Sequence, residues 1–401
     1  MKIFIAQNAL LTCGALLALL SFAPNRAAAE GMDGVWQGTI GKIKVQLCLQ
    51  DDDPTAVGAL GAYYAFSDGM IISLEPEDTL AENFVPNTWN ENTFDGSDAA
   101  LIFRLQDADH LIGERKGKKT TPIALQRVPY LARDYDTLPL TSCGSIAFSA
   151  PRIAEGGNTQ VIPTSWRGRH YSRLVIAPEK LDFHLQSFQI PGASPAVKRV
   201  NTELAMGFPG LDPNTRVTDI LNCSRSNLGW SGRDGGDTEI RWPEILTDKI
   251  LVIGTSYDVY CGGAYPEMST TWQVINLETG EELDPRSWLL GDTLETLLYG
   301  GPSNIDDDLA VIGEPSFYEV FLQHYPGTPT DGDDCIDLLS TNENWFIRPS
   351  QLGIVFTQDL PHVVQACAVD VTIPYAQIWP FLSEPGKKVA TEVLKVMQGN
   401  D

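Results

Sequence analysis

The run Tyr260-Cys261-Gly262-Gly263-Ala264-Tyr265-Pro266 restricts the fold of this chain more than any other stretch. Two adjacent glycines behind a cysteine require a tight bend or the close approach of another segment, because only glycine takes positive φ at little cost. The neighbouring cysteine is placed to fix that bend covalently where the compartment is oxidising. A strand-like run, Thr270–Leu277, follows and ends at the turn Glu278-Thr279-Gly280.

The N-terminus has the order of an export leader spanning residues 1–29. Lys2 comes first, then the apolar run Ala9–Phe22, then the small residues Ala27-Ala28-Ala29 ahead of Glu30. Leu10-Leu11-Thr12-Cys13 resembles a lipid-attachment site, but Thr12 fits that pattern poorly and most of the apolar run would follow the cut. The apolar core is too short for a spanning helix and nothing later replaces it, so no stable membrane insertion is expected. The expected location is periplasmic or extracellular, with cleavage after about Ala29.

Six cysteines follow the leader: Cys48, Cys143, Cys223, Cys261, Cys335 and Cys367. An even number in an exported chain reads as three disulfides, with 15 pairings open. Pairing neighbours gives Cys48–Cys143, Cys223–Cys261 and Cys335–Cys367. No C-x-x-C is present, which argues against a zinc ribbon or a thioredoxin-type pair. Loss of the leader removes Lys2 and Arg26 and no acid, taking the net charge from −24 to −26. Such a balance excludes nucleic acid as a partner, since phosphates demand clustered Lys and Arg. It would steer a cationic protein toward the surface, although an ordinary solvated acidic exterior accounts for the same charge.

Period-2 alternation dominates residues 30–130. Ile43, Val45 and Leu47 alternate with Lys42, Lys44 and Gln46, and Ala62–Phe66, Met70–Leu74, Leu101–Leu105 and Pro122–Val128 repeat the theme. A small all-β barrel or sandwich satisfies this pattern. Residues 131–165 read as a linker tethered by Cys143. Residues 166–401 mix element types, with strands at Arg173–Ile176, Ile250–Ile253, Tyr257–Tyr260, Trp345–Ile347, Gly353–Thr357 and Val369–Ile373. Helices are expected at Ala196–Met206, where Val197, Val200 and Leu204 share a face, at Trp288–Tyr299, Glu314–Tyr325 and Trp379–Leu382, and at Lys388–Met397. Strand groups beside separate helices predict an α+β domain with an antiparallel sheet and packed helices.

Over residues 170–385 the order of motifs resembles the paired extracytoplasmic domains of RsiV-type anti-sigma factors, also found attached to the polysaccharide deacetylase PdaC. Tyr260–Pro266 with Leu277–Gly280, the pair Val200-Asn201, Trp345-Phe346, Leu352–Phe356, and Ile373-Pro374-Tyr375 before Trp379-Pro380-Phe381-Leu382 carry the resemblance. Tyr265 stands where that family often has His, and the stretch from Pro361 to Ala368 lacks its usual Tyr-Ala-x-Gly pattern. The N-terminal segment resembles a small exported module, with Trp36-Gln37-Gly38 and Leu111-Ile112-Gly113 as recurring turns. The resemblance implies binding: RsiV-type domains recognise lysozyme, and the PdaC-linked domain is an accessory to cell-wall chemistry.

Motifs for catalysis are missing. Gly254-Thr255-Ser256-Tyr257-Asp258 holds only half of a nucleophile elbow, and a strand end explains it better. Gly113–Thr120 mimics a phosphate loop with the wrong spacing and reads as a lysine-rich hairpin turn. His110, His170, His184, His324 and His362 are scattered, so no metal site is expected from them. Asp306-Asp307-Asp308 and Asp331-Gly332-Asp333-Asp334 do not follow a calcium loop and read as solvated turns. Trp166-Arg167-Gly168-Arg169-His170-Tyr171 is a basic-aromatic cluster that suits a carboxylate ligand or a solvated linker. Neither catalytic residues nor a cofactor are expected.

Recognition residues are instead sought among aromatics next to glycines. They are Tyr260, Gly262, Gly263, Tyr265 and Trp272, with Trp230 and Trp242 around the Gly-rich run Ser231–Thr238. Tyr260 and Trp272 equally suit strand residues facing a core. The expected function is an exported, non-enzymatic binding protein whose partner is a lysozyme-like cell-wall hydrolase or another envelope macromolecule. The alternative is an enzyme, or enzyme accessory, acting on cell-wall polysaccharide through paired carboxylates.

Overall fold

The computed structural model describes residues 31–50, 59–77, 87–92, 99–130, 141–153, 157–263, 265–291, 315–326, 345–358, 360 and 368–398. The expected leader, Cys335, Cys367, His362 and both Asp-rich turns lie outside them.

Eight strands, β1 (Gly34–Ile40), β2 (Ile43–Gln50), β3 (Leu60–Ala65), β4 (Ile72–Pro76), β5 (Thr88–Asn92), β6 (Ala100–Asp107), β7 (His110–Lys116) and β8 (Thr121–Val128), form a closed antiparallel barrel. Closure comes from β1 pairing with both β2 and β8. Alternation sends Trp36, Val45, Leu47, Trp89, Phe103 and Leu125 into one buried interior. Each such side chain contributes about 1.5–3 kcal/mol of transfer free energy, which fixes the register against a one-residue slip. Trp36-Gln37-Gly38 and Leu111-Ile112-Gly113, expected as turns, are strand interiors. Their glycines serve close packing: a Cβ on Gly38 would lie 2.1 Å from the Ala124 carbonyl oxygen on the adjacent strand. Of Gly113–Thr120, expected as a lysine-rich hairpin turn, Gly117–Thr120 joins β7 to β8, whereas Gly113–Lys116 is the end of β7.

The rest of the chain is α+β. A seven-stranded sheet runs β9 (Gln160–Trp166), β10 (Arg169–Ile176), β11 (Phe183–Gln189), β12 (Gly236–Leu246), β13 (Ile250–Tyr260), β14 (Glu267–Asn276) and β15 (Glu281–Glu282), in spatial order β15-β14-β13-β12-β11-β10-β9. It is antiparallel except where β11 meets β12. A parallel neighbour requires a long crossover, and this one carries α2 (Pro195–Leu204) and α3 (Asn222–Ser231). Ser194 caps α2 by accepting from the Val197 amide at 3.1 Å, and Pro195 occupies the first turn, where its missing N–H costs nothing. Asn201 of the Val-Asn pair bonds both the amide and the carbonyl of Ile190.

The two faces of this sheet bury different partners. Leu251, Ile253 and Ile275 pack with Val200 and Leu204 of α2, whereas Val252 and Val274 point the other way. There they meet a three-stranded sheet, β16 (Trp345–Pro349), β17 (Gly353–Gln358) and β18 (Asp370–Pro374), together with α4 (Phe317–His324) and α6 (Glu384–Gln398). A short α5 (Tyr375–Ile378) follows β18.

Residues 131–165, expected as a linker, contribute α1 (Ile146–Ser149), the 3-10 turn Ala150–Ile153 and most of β9. Trp166–Tyr171 belongs to the β9–β10 hairpin, with Arg167 (φ 44°) and Gly168 (φ 78°) as its two positive-φ turn residues. Cys48 pairs with Cys143 and Cys223 with Cys261, two of the three neighbour pairs. The first bridge sits in a core of its own, where Val35, Tyr64, Phe148 and Leu228 pack the barrel's outer wall against α1 and α3. Polar contacts extend the joint: Tyr64 Oη donates to the Phe148 carbonyl at 2.7 Å, and Ser73 Oγ to the Gly232 carbonyl at 2.8 Å.

Candidate functional site

The double glycine does what its sequence requires. Gly262 and Gly263 take φ of 105° and 111°, and a Cβ on Gly262 would lie 3.0 Å from Asn227 Oδ1 of α3. Cys223 and Cys261 tie the end of β13 to the same helix, with Cα atoms 4.4 Å apart. The loop is therefore fixed at consecutive residues, and it has two faces.

Outward, Tyr265 is 76% exposed and Met268 52%, while Trp230, one turn beyond Asn227 on α3, is 51% exposed. Trp272 does not join them. It pairs with Gly254, six residues back along β13 from Tyr260, about 20 Å at strand rise. Its ring lies 3.8 Å under the Arg348 guanidinium and edge-on to Phe346, a packing role between the two sheets. Trp242 is also structural, its ring filling the space above Gly254.

Inward, Tyr260 contributes to the wall of a cavity of about 1290 Å³ between this half of the molecule and the open end of the barrel. Ile40, Val45 and Ile72 line the barrel side, with Ile43 and Met70 exposed at the rim. Among these apolar groups Glu91 is buried, and its carboxylate accepts from Tyr63 Oη at 2.6 Å and from Arg115 Nε and Nη2, each at 2.6 Å. Three inward positions on alternate strands β3, β5 and β7 bring them together. Burial, reinforced by the Glu91 carboxylate, pushes the Tyr63 phenol far above its ordinary range. The same carboxylate holds the Arg115 guanidinium charged.

On the opposite wall Arg152 is almost fully buried. It donates to the Gly69 carbonyl of the barrel at 3.0 Å, to the Lys180 carbonyl at 3.0 Å, to Ser224 Oγ at 3.2 Å and to both carboxylate oxygens of Asp234. None of Tyr63, Glu91, Arg115 or Arg152 is marked in the sequence. Their separations, 28 residues from Tyr63 to Glu91 and 82 from Arg152 to Asp234, form no motif. The one available signal is a single charged residue at an inward position of an alternating strand.

Among the described residues no group of three or more His, Cys, Asp or Glu side chains is placed to hold a metal ion, and no helix is long and apolar enough to cross a membrane. The two disulfides fit a periplasmic or extracellular location.

The chain matches no protein-family model and no curated protein. Solved structures similar to it include a member of the DUF3298 family from Bacteroides fragilis, 14% identical with a TM-score of 0.36, over 59% of this chain and 96% of that one. A DUF3298 family protein from Pseudomonas aeruginosa is 10% identical with a TM-score of 0.30, over 56% of this chain and 94% of that one. Neither name repeats the RsiV-type resemblance drawn from the sequence.

Proposed function

We propose that this chain is an exported, non-enzymatic binding protein that engages an envelope macromolecule through the outer surface beside the double glycine. A cationic, lysozyme-like hydrolase is the partner the sequence resemblance implies. The observation that carries the reading is the exposed Tyr265, two residues beyond the double glycine, with Met268 and Trp230 of the neighbouring β14 and α3 also exposed. Rigid aromatic side chains bury large area at small entropic cost, so they dominate interface energetics. The net charge of −24 adds long-range attraction for a cationic partner. The polysaccharide-enzyme alternative would need a carboxylate pair other than Glu91, whose oxygens are taken up by donors of its own barrel.

Retention on immobilised hen lysozyme at low and at moderate salt tests the partner, with Tyr265→Ala and Trp230→Ala as probes. Binding that weakens with salt and by about tenfold in either variant supports the surface. No retention at either salt concentration removes lysozyme as the partner.

A further inference from the structure

We infer that the open end of the barrel is a second binding site, taking a small uncharged amphipathic molecule with an apolar body and one carbonyl or hydroxyl acceptor. This site is independent of the outer surface and of any protein partner. Eight-stranded barrels have interiors just wide enough to be filled by side chains or to admit one small ligand at the mouth. Here the deep layers are filled by Trp36, Trp89 and Phe103, so a ligand reaches only the mouth.

The apolar body has a defined seat. Ile40, Val45 and Ile72 face the cavity from the barrel, and Leu181 and Tyr260 face it from across the joint. At the rim Ile43 is 56% exposed and Met70 is 72% exposed, a cost in water that an apolar occupant would relieve.

The head group is specified by Arg115. Its Nε and Nη2 are spent on Glu91, whereas Nη1 has no partner among the described residues and the side chain is 30% exposed where it lines the cavity. Nη1 lies beside the exposed turn residue Gly117 at the barrel mouth, where its two N–H groups can turn from water to a bound acceptor.

Charge decides which acceptor. Glu91 already neutralises Arg115, and Asp234 neutralises Arg152. The other charged groups lining the cavity are Asp68, Glu179 and Asp182 against Lys180 and Arg233. An anionic head meets no net positive field there. A cationic head would set like charge against Arg115. An ester, amide or hydroxyl gains the hydrogen bonds and brings no charge to desolvate.

The test uses the full oxidised chain and the neutral fluorophore N-phenyl-1-naphthylamine, displaced by monolaurin, laurate or dodecyltrimethylammonium, each below its aggregation concentration. The expected result is saturable one-to-one fluorophore binding, with monolaurin displacing at about tenfold lower concentration than either charged competitor. The rim variant Ile43→Ser/Met70→Ser should weaken fluorophore binding by about tenfold, and its positions are exposed enough to leave the fold intact. The paired variant Glu91→Gln/Arg115→Met should abolish the preference for monolaurin over laurate and dodecyltrimethylammonium in displacement. Absence of saturable binding, an unchanged rim variant, or equal displacement by laurate or the ammonium overturns the inference.

Discussion

Replacing Arg152 with Met is the sharpest probe of what joins the barrel to the rest of the chain. The guanidinium makes five hydrogen bonds with its side chain 1% exposed, and it links the barrel carbonyl of Gly69 to the Lys180 carbonyl, Ser224 and Asp234. Met fills similar volume and donates nothing. Two carbonyls then lose their donor at about 1–3 kcal/mol each, while Asp234, 26% exposed, recovers part of its hydration through the cavity. Breaking a buried pair from its inner side costs about 3–5 kcal/mol, and that is the expected loss. Asp234→Asn should cost less, about 1–2 kcal/mol, because the amide oxygen still accepts and Arg152 keeps its two carbonyls. Urea unfolding of the oxidised protein, followed by tryptophan fluorescence, reads both values from the midpoint at constant slope. A loss under about 1 kcal/mol for Arg152→Met, or a larger loss for Asp234→Asn, would refute the assignment of Arg152 as the buried link.

Three further outcomes follow from the geometry. Burial, and after it the Glu239 charge, raises the carboxyl of Asp237 above its ordinary value. The stability this group confers is present in acid and lost as pH rises through the folded value, so Asp237→Asn should stabilise at neutral pH and have no effect near pH 3; equal midpoint shifts at both pH values would contradict this. Removing Cys223–Cys261 as paired serines should cost about 4 kcal/mol and removing Cys48–Cys143 about 5, from sequence separations of 38 and 95, as upper values read by denaturant midpoint. Gly262→Ala and Gly263→Ala should each destabilise by about 1–2 kcal/mol through positive φ, and the first by more, because Asn227 lies in the way of its Cβ while Gly263 has open space. A reversed order in thermal unfolding would show that the loop relaxes.

The parts of the fold legible in the sequence are those that repeat. Val45 and Leu47 announce a barrel strand because alternation samples the same interior repeatedly, with Ile43 continuing the period to the exposed rim, and Val200 with Leu204 announces α2 for the same reason at helical spacing. Gly262 and Gly263 were readable as a bend because no other residue type tolerates their φ. The strand β5 was not readable: Thr88–Asn92 buries Trp89 and Glu91 among polar neighbours, a pattern with no hydrophobic period. The parallel junction of β11 and β12 was hidden as well, since Ser231–Thr238 reads as a Gly-rich loop although β12 begins at Gly236. Trp272 was drawn toward the loop by sequence proximity, and strand register carried it to the middle of β14, opposite Gly254.

The cavity escaped the sequence for a deeper reason, which bears on how the molecule works. Its walls come from two separately built sheets, and it exists only where they dock. Gly69, whose carbonyl accepts from Arg152, immediately precedes the exposed rim residue Met70. Arg152 itself lines the cavity whose two halves it fastens. A ligand held against both walls would bind the docked arrangement and not the separated one. It must then stabilise the joint by mass action, in proportion to its concentration over its dissociation constant. Monolaurin should accordingly raise the unfolding midpoint of the parent chain and recover part of the loss in Arg152→Met. A ligand contacting the barrel alone would protect the barrel without restoring the joint.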